Sequence, residues 1–328
     1  MKSNQLLFAN RQSLTCGAAM PLHADTCIYK HVNVFSNQPL CGNSLAVFYL
    51  GQFPDESLML RLTQEMKHYE SIFLTRELLT NTFNVRIYSK EEELEFAGHP
   101  ILGAASALHD WLMPMTDSKQ AWRFLLRKVS IQVTTSYLND CYRAEMDQGI
   151  PHFGKILTSN EYLPILHLLN LNETNLYKGL PVTVVSTGFP YLIIPLKQGL
   201  ENAKILTEGL EELLKLYAAK EVYVFDVQNR EGRNWNNHVG TVEDSATGSA
   251  AGIVGAYLVK YGQGKMNTPI VIHQGRFVNR PSVMSAVVFG DENNISSVHV
   301  SGDNCIIADG KLDARLFQKY FINKKLQF

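Results

Sequence analysis

The sequence predicts an α+β protein made of two similar halves, each built as a sheet around one central helix. The prediction rests on an internal repeat, because Gly248–Leu258 matches the pattern of Gly98–Leu108 without a gap. Both segments are small or apolar on every side, which is typical of a helix that is buried all round. The alternative is a pair of unrelated helices that happen to be rich in alanine and glycine.

The elements before the first central helix follow from alternation and from turn residues. Polar and apolar residues alternate from Ile28, which predicts a first strand that ends at a turn around Pro39. Further on, the pattern predicts a short apolar segment, one helix and two strands at Leu45–Phe48, Pro54–His68, Ser71–Thr75 and Phe83–Tyr88.

The second half is predicted to begin near residue 128. Strands are expected at Ile131–Ser136, Tyr142–Asp147 and Val182–Val185, and an amphipathic helix at Asn202–Leu216. We therefore divide the chain into an N-terminal extension (1–27), a first half (28–127), a second half (128–312) and a C-terminal tail (313–328). The tail, from Ala314 to Phe328, reads as a short basic amphipathic helix packed on the body.

Composition excludes several classes of function. The chain of 328 residues is 45% hydrophobic and 19% charged, which suits two ordinary globular cores. Its net charge of −1 lacks the basic footprint of a nucleic-acid binder and the polybasic run of a membrane-surface protein. We therefore expect neither nucleic acid nor membrane as a partner, since no stretch reaches the roughly 18 apolar residues that span a bilayer.

Cysteine usage indicates a reducing compartment. The five cysteines form no CxxC pair and are odd in number, which argues against a disulfide framework and against a zinc knuckle. They are Cys16, Cys27, Cys41, Cys141 and Cys305. The first twenty residues contain no continuous apolar core of a secretory signal, so the sequence predicts a cytoplasmic location.

Familiar cofactor motifs are absent from the sequence. It contains no GxGxxG after a strand, no GxxxxGK[ST], no HExxH and no GxSxG, so neither a cofactor nor a metal is expected. What remains is the pair of helix N-termini, whose unpaired N–H groups bind anions such as a carboxylate. His99, Glu243, Asp244 and Ser249 flank these termini, and the alternative role for such serine and aspartate residues is helix capping.

A series of motifs, in order along the chain, resembles the phenazine-biosynthesis PhzF-like family. They are Asn33-Val34-Phe35, Gln38-Pro39-Leu40, Gly42-Asn43, Ala46-Val47-Phe48, Glu70-Ser71-Ile72-Phe73, Phe96-Ala97-Gly98-His99-Pro100, Val242 to Ala250, Gln274-Gly275, Arg280-Pro281-Ser282 and Val300-Ser301-Gly302. The resemblance spans roughly Ile28 to Leu312. It implies a diaminopimelate epimerase-like fold, in which two barrel-like, mainly antiparallel halves enclose the active site, and it implies a homodimer.

The resemblance also implies an isomerase in which a glutamate moves a proton between carbons of a small carboxylate substrate without a cofactor. Glu70 matches the catalytic glutamate, and His99 and Asp244 match polar residues of the catalytic site. In phenazine biosynthesis the substrate is trans-2,3-dihydro-3-hydroxyanthranilate, and the proton returns on the same face of the ring. The substrate-binding residues implied here are Asn43, Gly98, Gly248 and Ser249.

The sequence departs from its relatives at three places. Amino-acid racemases of this fold carry a cysteine near each helix start, where this chain has Ala97 and Ala246, so a two-thiol mechanism is excluded. Tyr69 stands where the phenazine enzyme has serine, and Arg233 to Asn237 replaces an Arg-x-Phe-x-Pro pattern. Two alternatives therefore stay open: an epimerase of another amino or hydroxy acid, and a non-catalytic binding protein that keeps the fold.

Overall fold

The protein is described by a computed structural model that covers residues 27–291 and 294–317. All but the last residue of the predicted N-terminal extension, and the tail after residue 317, lie outside these segments. The helices are α1 (Glu56–Met66), α2 (Gly98–Leu112), α3 (Ser159–Leu168), α4 (Leu210–Leu216) and α5 (Gly248–Lys260), with short 3-10 turns at Glu173–Asn175, Leu200–Asn202 and Arg276–Val278.

The strands are β1 (Cys27–Val34), β2 (Asn43–Leu50), β3 (Glu70–Arg76), β4 (Thr82–Ser89), β5 (Glu93–Leu94), β6 (Gln120–Leu125), β7 (Ser130–Leu138), β8 (Cys141–Asp147), β9 (His152–Ile156), β10 (Thr183–Ser186), β11 (Pro190–Leu196), β12 (Glu221–Asp226), β13 (Glu231–Asn234), β14 (Ile270–Gln274), β15 (Ser282–Asp291) and β16 (Asn294–Lys311).

All of these strands belong to one sheet with two halves, which we call the first ring (β1–β8 with β16) and the second ring (β9–β16). Its order is β1-β2-β3-β4-β6-β7-β8-β16-β15-β14-β13-β12-β11-β10-β9, and β5 pairs with β4 at the side. The long strand β16 also pairs with β1, which closes the first ring. Most neighbours are antiparallel; the parallel pairs are β2–β3, β4–β6, β11–β12 and β13–β14.

Strand order shows that the two rings repeat one another. In the first ring an antiparallel pair, β1–β2, leads through α1 to a parallel neighbour, β3, then to antiparallel β4 and the helix α2. In the second ring β10–β11 leads through α4 to parallel β12, then to antiparallel β13 and the helix α5. The strands after each helix, β6–β8 and β14–β16, pair in the same way.

The two central helices are buried as the sequence predicts. In α2 every residue from Gly98 to His109 is buried, and in α5 all residues from Ala250 to Leu258 are buried. Helix α2 packs against strands of the first ring, and α5 packs against β10, β15 and β16 of the second. The prediction of an α+β protein with two mainly antiparallel halves around central helices is therefore confirmed.

Glycines let the helices lie close to the sheet. A Cβ atom added at Gly255 of α5 would lie 2.7 Å from the Cβ of Ala286 on β15, which is closer than two carbons can approach. The strand backbone carries that Ala286 carbon, so it cannot rotate away. Small residues in the repeat are thus required by the distance between helix and sheet.

The predicted helix at Asn202–Leu216 is wrong over its first half. Only Leu210–Leu216 is helical, after Gly209, whose φ of 108° is left-handed. Upstream, the backbone N–H of Lys204 donates to Leu169 O (3.1 Å), and that of Leu206 donates to Leu168 O (2.8 Å). These bonds to the end of α3 hold the segment extended and compete with helix formation.

Strands β7 and β8 pack with the central helix of the first ring, α2. Both strands contact α2, although they follow the predicted boundary between residues 127 and 128. By strand order the repeat divides between β8 and β9, and the division into 28–127 and 128–312 stays a prediction. Of the predicted tail helix, residues 314–317 are helical, and Phe317 is buried beside Leu58 and Phe73.

We predict that Gly255→Ala destabilises the protein even though alanine favours helices. The helix gains about 1 kcal/mol from the replacement, whereas forcing a carbon into a filled core costs typically 1–3 kcal/mol and more when backbone must move. Urea unfolding should show a lower midpoint. Gly154→Ala is the control, because its added carbon would lie in ordinary contact, 3.4 Å from Val184; an equal or higher midpoint for Gly255→Ala would contradict the packing argument.

Candidate active site

The N-termini of the two central helices meet in the interior between the rings. A Cβ atom added at Gly98, the first residue of α2, would lie 3.7 Å from the backbone nitrogen of Ser249, the second residue of α5. The residues before the helices, Ala97 and Thr247, provide no side-chain cap. The free N–H groups of two helices therefore point into one small region, which is an arrangement that binds an anion.

Glu70 lies in this region as the first residue of β3. Helix α1 ends at Lys67 in a left-handed conformation (φ 60°), and the chain then turns directly into the strand. Glu70 is only 8% exposed, and its Oε2 atom has no hydrogen-bond partner. Burial, together with the negative charges of Asp244 and Glu221, raises the pKa of Glu70 to about 8.

His99 faces Glu70 from the first turn of α2. Its Nε2 atom lies 3.6 Å from Glu70 Oε2 and likewise has no hydrogen-bond partner. Burial lowers the pKa of His99 to about 3, so the ring is neutral at physiological pH. The amide nitrogen of Asn43 lies 3.5 Å from Nδ1. Both hydrogens of that amide donate at shorter distances, to Asp244 Oδ1 (2.9 Å) and Ala246 O (3.0 Å), so this contact does not select the ring tautomer. In the tautomer that carries its proton on Nε2, His99 can donate toward a ligand beside Glu70.

Asp244 is held by several donors. Its Oδ1 accepts from the Asn43 amide at 2.9 Å, and its Oδ2 accepts from the Thr247 hydroxyl at 2.6 Å. Burial raises the pKa of Asp244 to about 6, and the donors from Thr247 and Asn43 oppose that rise. Asn43 also donates to Ala246 O at 3.0 Å. Asn43 thus joins the first ring to the loop before α5, and Asp244 is oriented by both.

Ser249 contributes a hydroxyl at the start of α5. Its Oγ lies 2.8 Å from the hydroxyl oxygen of Tyr191, a buried residue of β11. The predicted substrate-binding residues Gly98 and Gly248 are the first residues of the two helices. The structure therefore brings all seven predicted site residues into one region, with Asn43 and Asp244 bonded to each other.

Glu221 and Tyr191 belong to the same region and were missed from the sequence. Glu221 is the first residue of β12, and its Oε2 accepts from the Asn234 amide at 3.0 Å. Burial raises the pKa of Glu221 to about 7. One feature could have revealed it: Glu221 precedes Gly248 by 27 residues, and Glu70 precedes Gly98 by 28. Extending the internal repeat backwards would have paired the two glutamates.

The departures from the family pattern have structural explanations. Glu243, a candidate beside α5, is bound by Arg233, whose Nη2 lies 2.6 Å from Glu243 Oε2. The same arginine packs against the rings of Trp235 and Phe277. The Arg233–Glu243 ion pair therefore stabilises the loop before α5. Tyr69 is 41% exposed; burial raises the pKa of its hydroxyl, and a hydrogen bond with Asn236 opposes the rise.

The described residues form neither a metal centre nor a helix that could span a membrane. Among residues 27–291 and 294–317, histidine, cysteine and carboxylate side chains form no group of three arranged around a metal position. Within the same ranges, no helix combines the length and the apolar character needed to cross a bilayer.

Known proteins resemble this chain over most of its length. A model of the family described as "Phenazine biosynthesis-like protein" matches residues 32–310. The trans-2,3-dihydro-3-hydroxyanthranilate isomerase of Pseudomonas aeruginosa is 30% identical over 292 residues, which cover 86% of this chain and 98% of that protein.

Solved structures agree in fold. The structure of a predicted epimerase from Pseudomonas aeruginosa is 40% identical, with a TM-score of 0.80, over 87% of this chain and 98% of the other. A hydroxyproline epimerase from Agrobacterium vitis is only 10% identical but superposes with a TM-score of 0.56 over 88% of this chain and 92% of its own, which shows a shared fold. The predicted diaminopimelate epimerase-like fold and the predicted enzyme class, an isomerase, are confirmed, and the chain belongs to the phenazine biosynthesis-like protein family.

Proposed function

We propose that this protein is a cofactor-independent isomerase that moves a proton between carbons of a small carboxylate substrate, with Glu70 as the general acid/base. The observation that carries the proposal is the Glu70 carboxyl, which is buried, lacks a hydrogen-bond partner and lies 3.6 Å from a neutral His99. An unsatisfied buried carboxyl costs stability, and such a cost is typical of a functional group.

The proposed chemistry follows from the charges around the site. The substrate carboxylate binds the N–H groups at the starts of α2 and α5, which places a neighbouring carbon beside Glu70. A carboxyl with a pKa of about 8 is a stronger base than free glutamate, and near neutral pH it can both accept and release a proton. Charge that develops on the substrate is stabilised by the helix termini, by His99 Nε2–H and by the Ser249 hydroxyl.

The named relative indicates the chemical class of the substrate. A protein 30% identical to this chain is a trans-2,3-dihydro-3-hydroxyanthranilate isomerase, which supports a small cyclic carboxylate of that kind. Tyr69 and Asn236, two departures from the family pattern, meet at the same wall and would contact the substrate ring. An epimerase of another amino or hydroxy acid remains the second candidate, because the structural relatives include epimerases.

We also propose that the protein is cytoplasmic and forms a homodimer. Cys27, Cys41, Cys141 and Cys305 are free thiols in the described segments, which supports a reducing compartment, the cytoplasm. We propose a small-molecule substrate as the ligand, no nucleic-acid partner, and a second copy of the chain as the assembly partner.

Glu70→Gln should abolish turnover while the fold and ligand binding persist. Glutamine keeps the size and a hydrogen-bonding oxygen but accepts no proton at neutral pH, and loss of a general base typically costs about 10²–10⁴-fold in rate. The measurement is deuterium incorporation from D₂O into trans-2,3-dihydro-3-hydroxyanthranilate by enzyme dialysed against a chelator. Ser249→Ala is the contrasting variant, because it should weaken binding of the substrate or of the transition state while leaving the proton acceptor in place. Wild-type exchange by Glu70→Gln would place the base elsewhere, with Asp244 as the next candidate.

The stability of Glu70→Gln relative to wild type should grow as pH rises from about 4.5 to about 8. Below pH 4.5 the wild-type carboxyl is protonated in both the folded and unfolded states. Between the two pKa values the unfolded chain releases this proton and the folded protein retains it, so folding of wild type loses free energy, on the order of a few kcal/mol in total. Urea unfolding at pH 4.5, 6 and 8 measures the difference. Exposed Glu212 supplies the control Glu212→Gln; a difference independent of pH would contradict the raised pKa.

We expect a homodimer in solution, as the family resemblance implies. Multi-angle light scattering at micromolar concentration should give about twice the chain mass of 36.9 kDa. A monomer mass across that concentration range would rule out the proposed assembly.

A further inference from the structure

Two cysteines lie opposite each other on strands β8 and β16 of the first ring. The antiparallel register pairs Asn304 with Tyr142, so one step further along Cys305 lies opposite Cys141. Asn304 donates to Ser106 of α2, and the next residue, Cys305, therefore faces away from the central helix. Each thiol acts on the pKa of the other through a side-chain hydrogen bond, which places the two sulfur atoms within hydrogen-bond reach.

The spacing of the two strands suits a disulfide bond. Directly opposite residues of an antiparallel pair have Cα atoms about 4.5 or 5.5 Å apart. Disulfides join cysteines whose Cα atoms are usually about 4.4–6.8 Å apart. Both thiols are free in this structure, and a bond between Cys141 and Cys305 therefore needs little movement of the strands.

The turn between β1 and β2 covers both thiols and accepts their hydrogen bonds. The Cys305 thiol donates to Ser36 O at 3.3 Å, and the Cys141 thiol donates to Asn37 O at 3.6 Å. This turn leads into β2, whose first residue is Asn43. Oxidation of the two thiols therefore removes both donors from a turn that ends at a residue of the candidate site.

The two thiols differ in access to solvent. Cys305 is buried, whereas Cys141 is half-buried beside the exposed Leu138 at the end of the β7–β8 hairpin. Burial raises the pKa of Cys305 to about 12, and burial together with the negative charges of Asp303 and Asp140 raises the pKa of Cys141. A reagent in solution therefore meets Cys141 first, and its attack accelerates as alkaline pH increases the fraction of thiolate.

We propose that Cys141 and Cys305 form an oxidation site, at which a small disulfide such as oxidised glutathione converts the two thiols into a bond that joins β8 to β16. The Cys141 thiolate attacks one sulfur of the reagent, whose S–S bond breaks and releases one glutathione thiolate. The Cys305 thiolate then attacks the Cys141 sulfur and releases the second glutathione. The released thiolates take up the protons that the cysteines lost, so two protein thiols are oxidised and one reagent disulfide is reduced. This inference does not depend on the proposed function.

The test identifies the linked cysteines by mass spectrometry. Reduced protein is incubated with oxidised glutathione at about pH 9, where more thiolate is present, then alkylated and digested with trypsin. Trypsin leaves Cys141 in peptide 129–143, Cys305 in peptide 277–311 and Cys41 in peptide 31–61. We expect peptide 129–143 joined to peptide 277–311, and loss of the link on reduction with dithiothreitol.

Cys41→Ser is the matched control, because Cys41 lies within electrostatic reach of Cys305 and is the alternative partner. This variant should form the same link as wild type. A link between peptides 31–61 and 277–311, or glutathione that stays on Cys141 without a link, would overturn the proposal.

A second measurement compares stability in the two redox states. Oxidised wild type should unfold at a higher urea midpoint than reduced wild type, because a bond between β8 and β16 restricts the unfolded chain. Cys141→Ser and Cys305→Ser keep a hydroxyl that can donate to the same turn, so both should fold and neither should show the rise. An equal or lower midpoint for oxidised wild type would show that the bond distorts the strands and would overturn the proposed site.

Discussion

Two helices can begin at one point inside a protein only if nothing larger than a hydrogen atom stands between them. Gly98 satisfies this condition, because a Cβ there would lie 3.1 Å from Met146 Cε and 3.7 Å from the Ser249 nitrogen. At Gly248, the first residue of α5, an added carbon would lie 2.6 Å from Phe35 Cζ, so a larger residue is excluded there too. The rest of the site depends on this approach, since it gathers the N-termini of the two helices and, with them, His99 and Ser249 in one region.

The site combines a positive backbone with negative side chains. Helix N-termini carry partial positive charge, which suits a carboxylate ligand. Glu70, Asp244 and Glu221 lie around that position, and burial raises the pKa of each, although the positive charge of Lys220 opposes the rise at Glu221. Burying ionisable groups in this way costs stability in the empty protein. The orientation of the Asp244 carboxylate is fixed, because Asn43 and Thr247 both donate hydrogen bonds to it.

In this chain and in the racemases that share its fold, the residues that can carry a proton stand at different positions. The positions near the helix starts hold Ala97 and Ala246, which carry no proton. Instead, ionisable side chains stand at the starts of β3 and β12, which are Glu70 and Glu221, and Glu70 is the proposed acid/base. The wall itself also differs, since Tyr69 of the first ring meets Asn236 of the second.

The sequence by itself determined the two central helices, the fold class and most members of the site. Local pattern was sufficient for the helices, because a helix made of small and apolar residues has no stable place except the interior. His99, Asp244 and Ser249 lie close to the helix starts, whereas Glu70 was identified only from the family resemblance. Only the tertiary structure decided that Asn43 bonds to Asp244, 201 residues away, and that Arg233 binds Glu243. The start of α4 and the place of Glu221 were decided in the same way. The 203–209 segment is held by hydrogen bonds to the end of α3. Glu221 resembles any glutamate at the start of a strand until the sheet folds and brings its charge close enough to act on Glu70. Contacts between residues far apart in the chain leave no periodic pattern in either partner, so they become visible only when the sheet has folded.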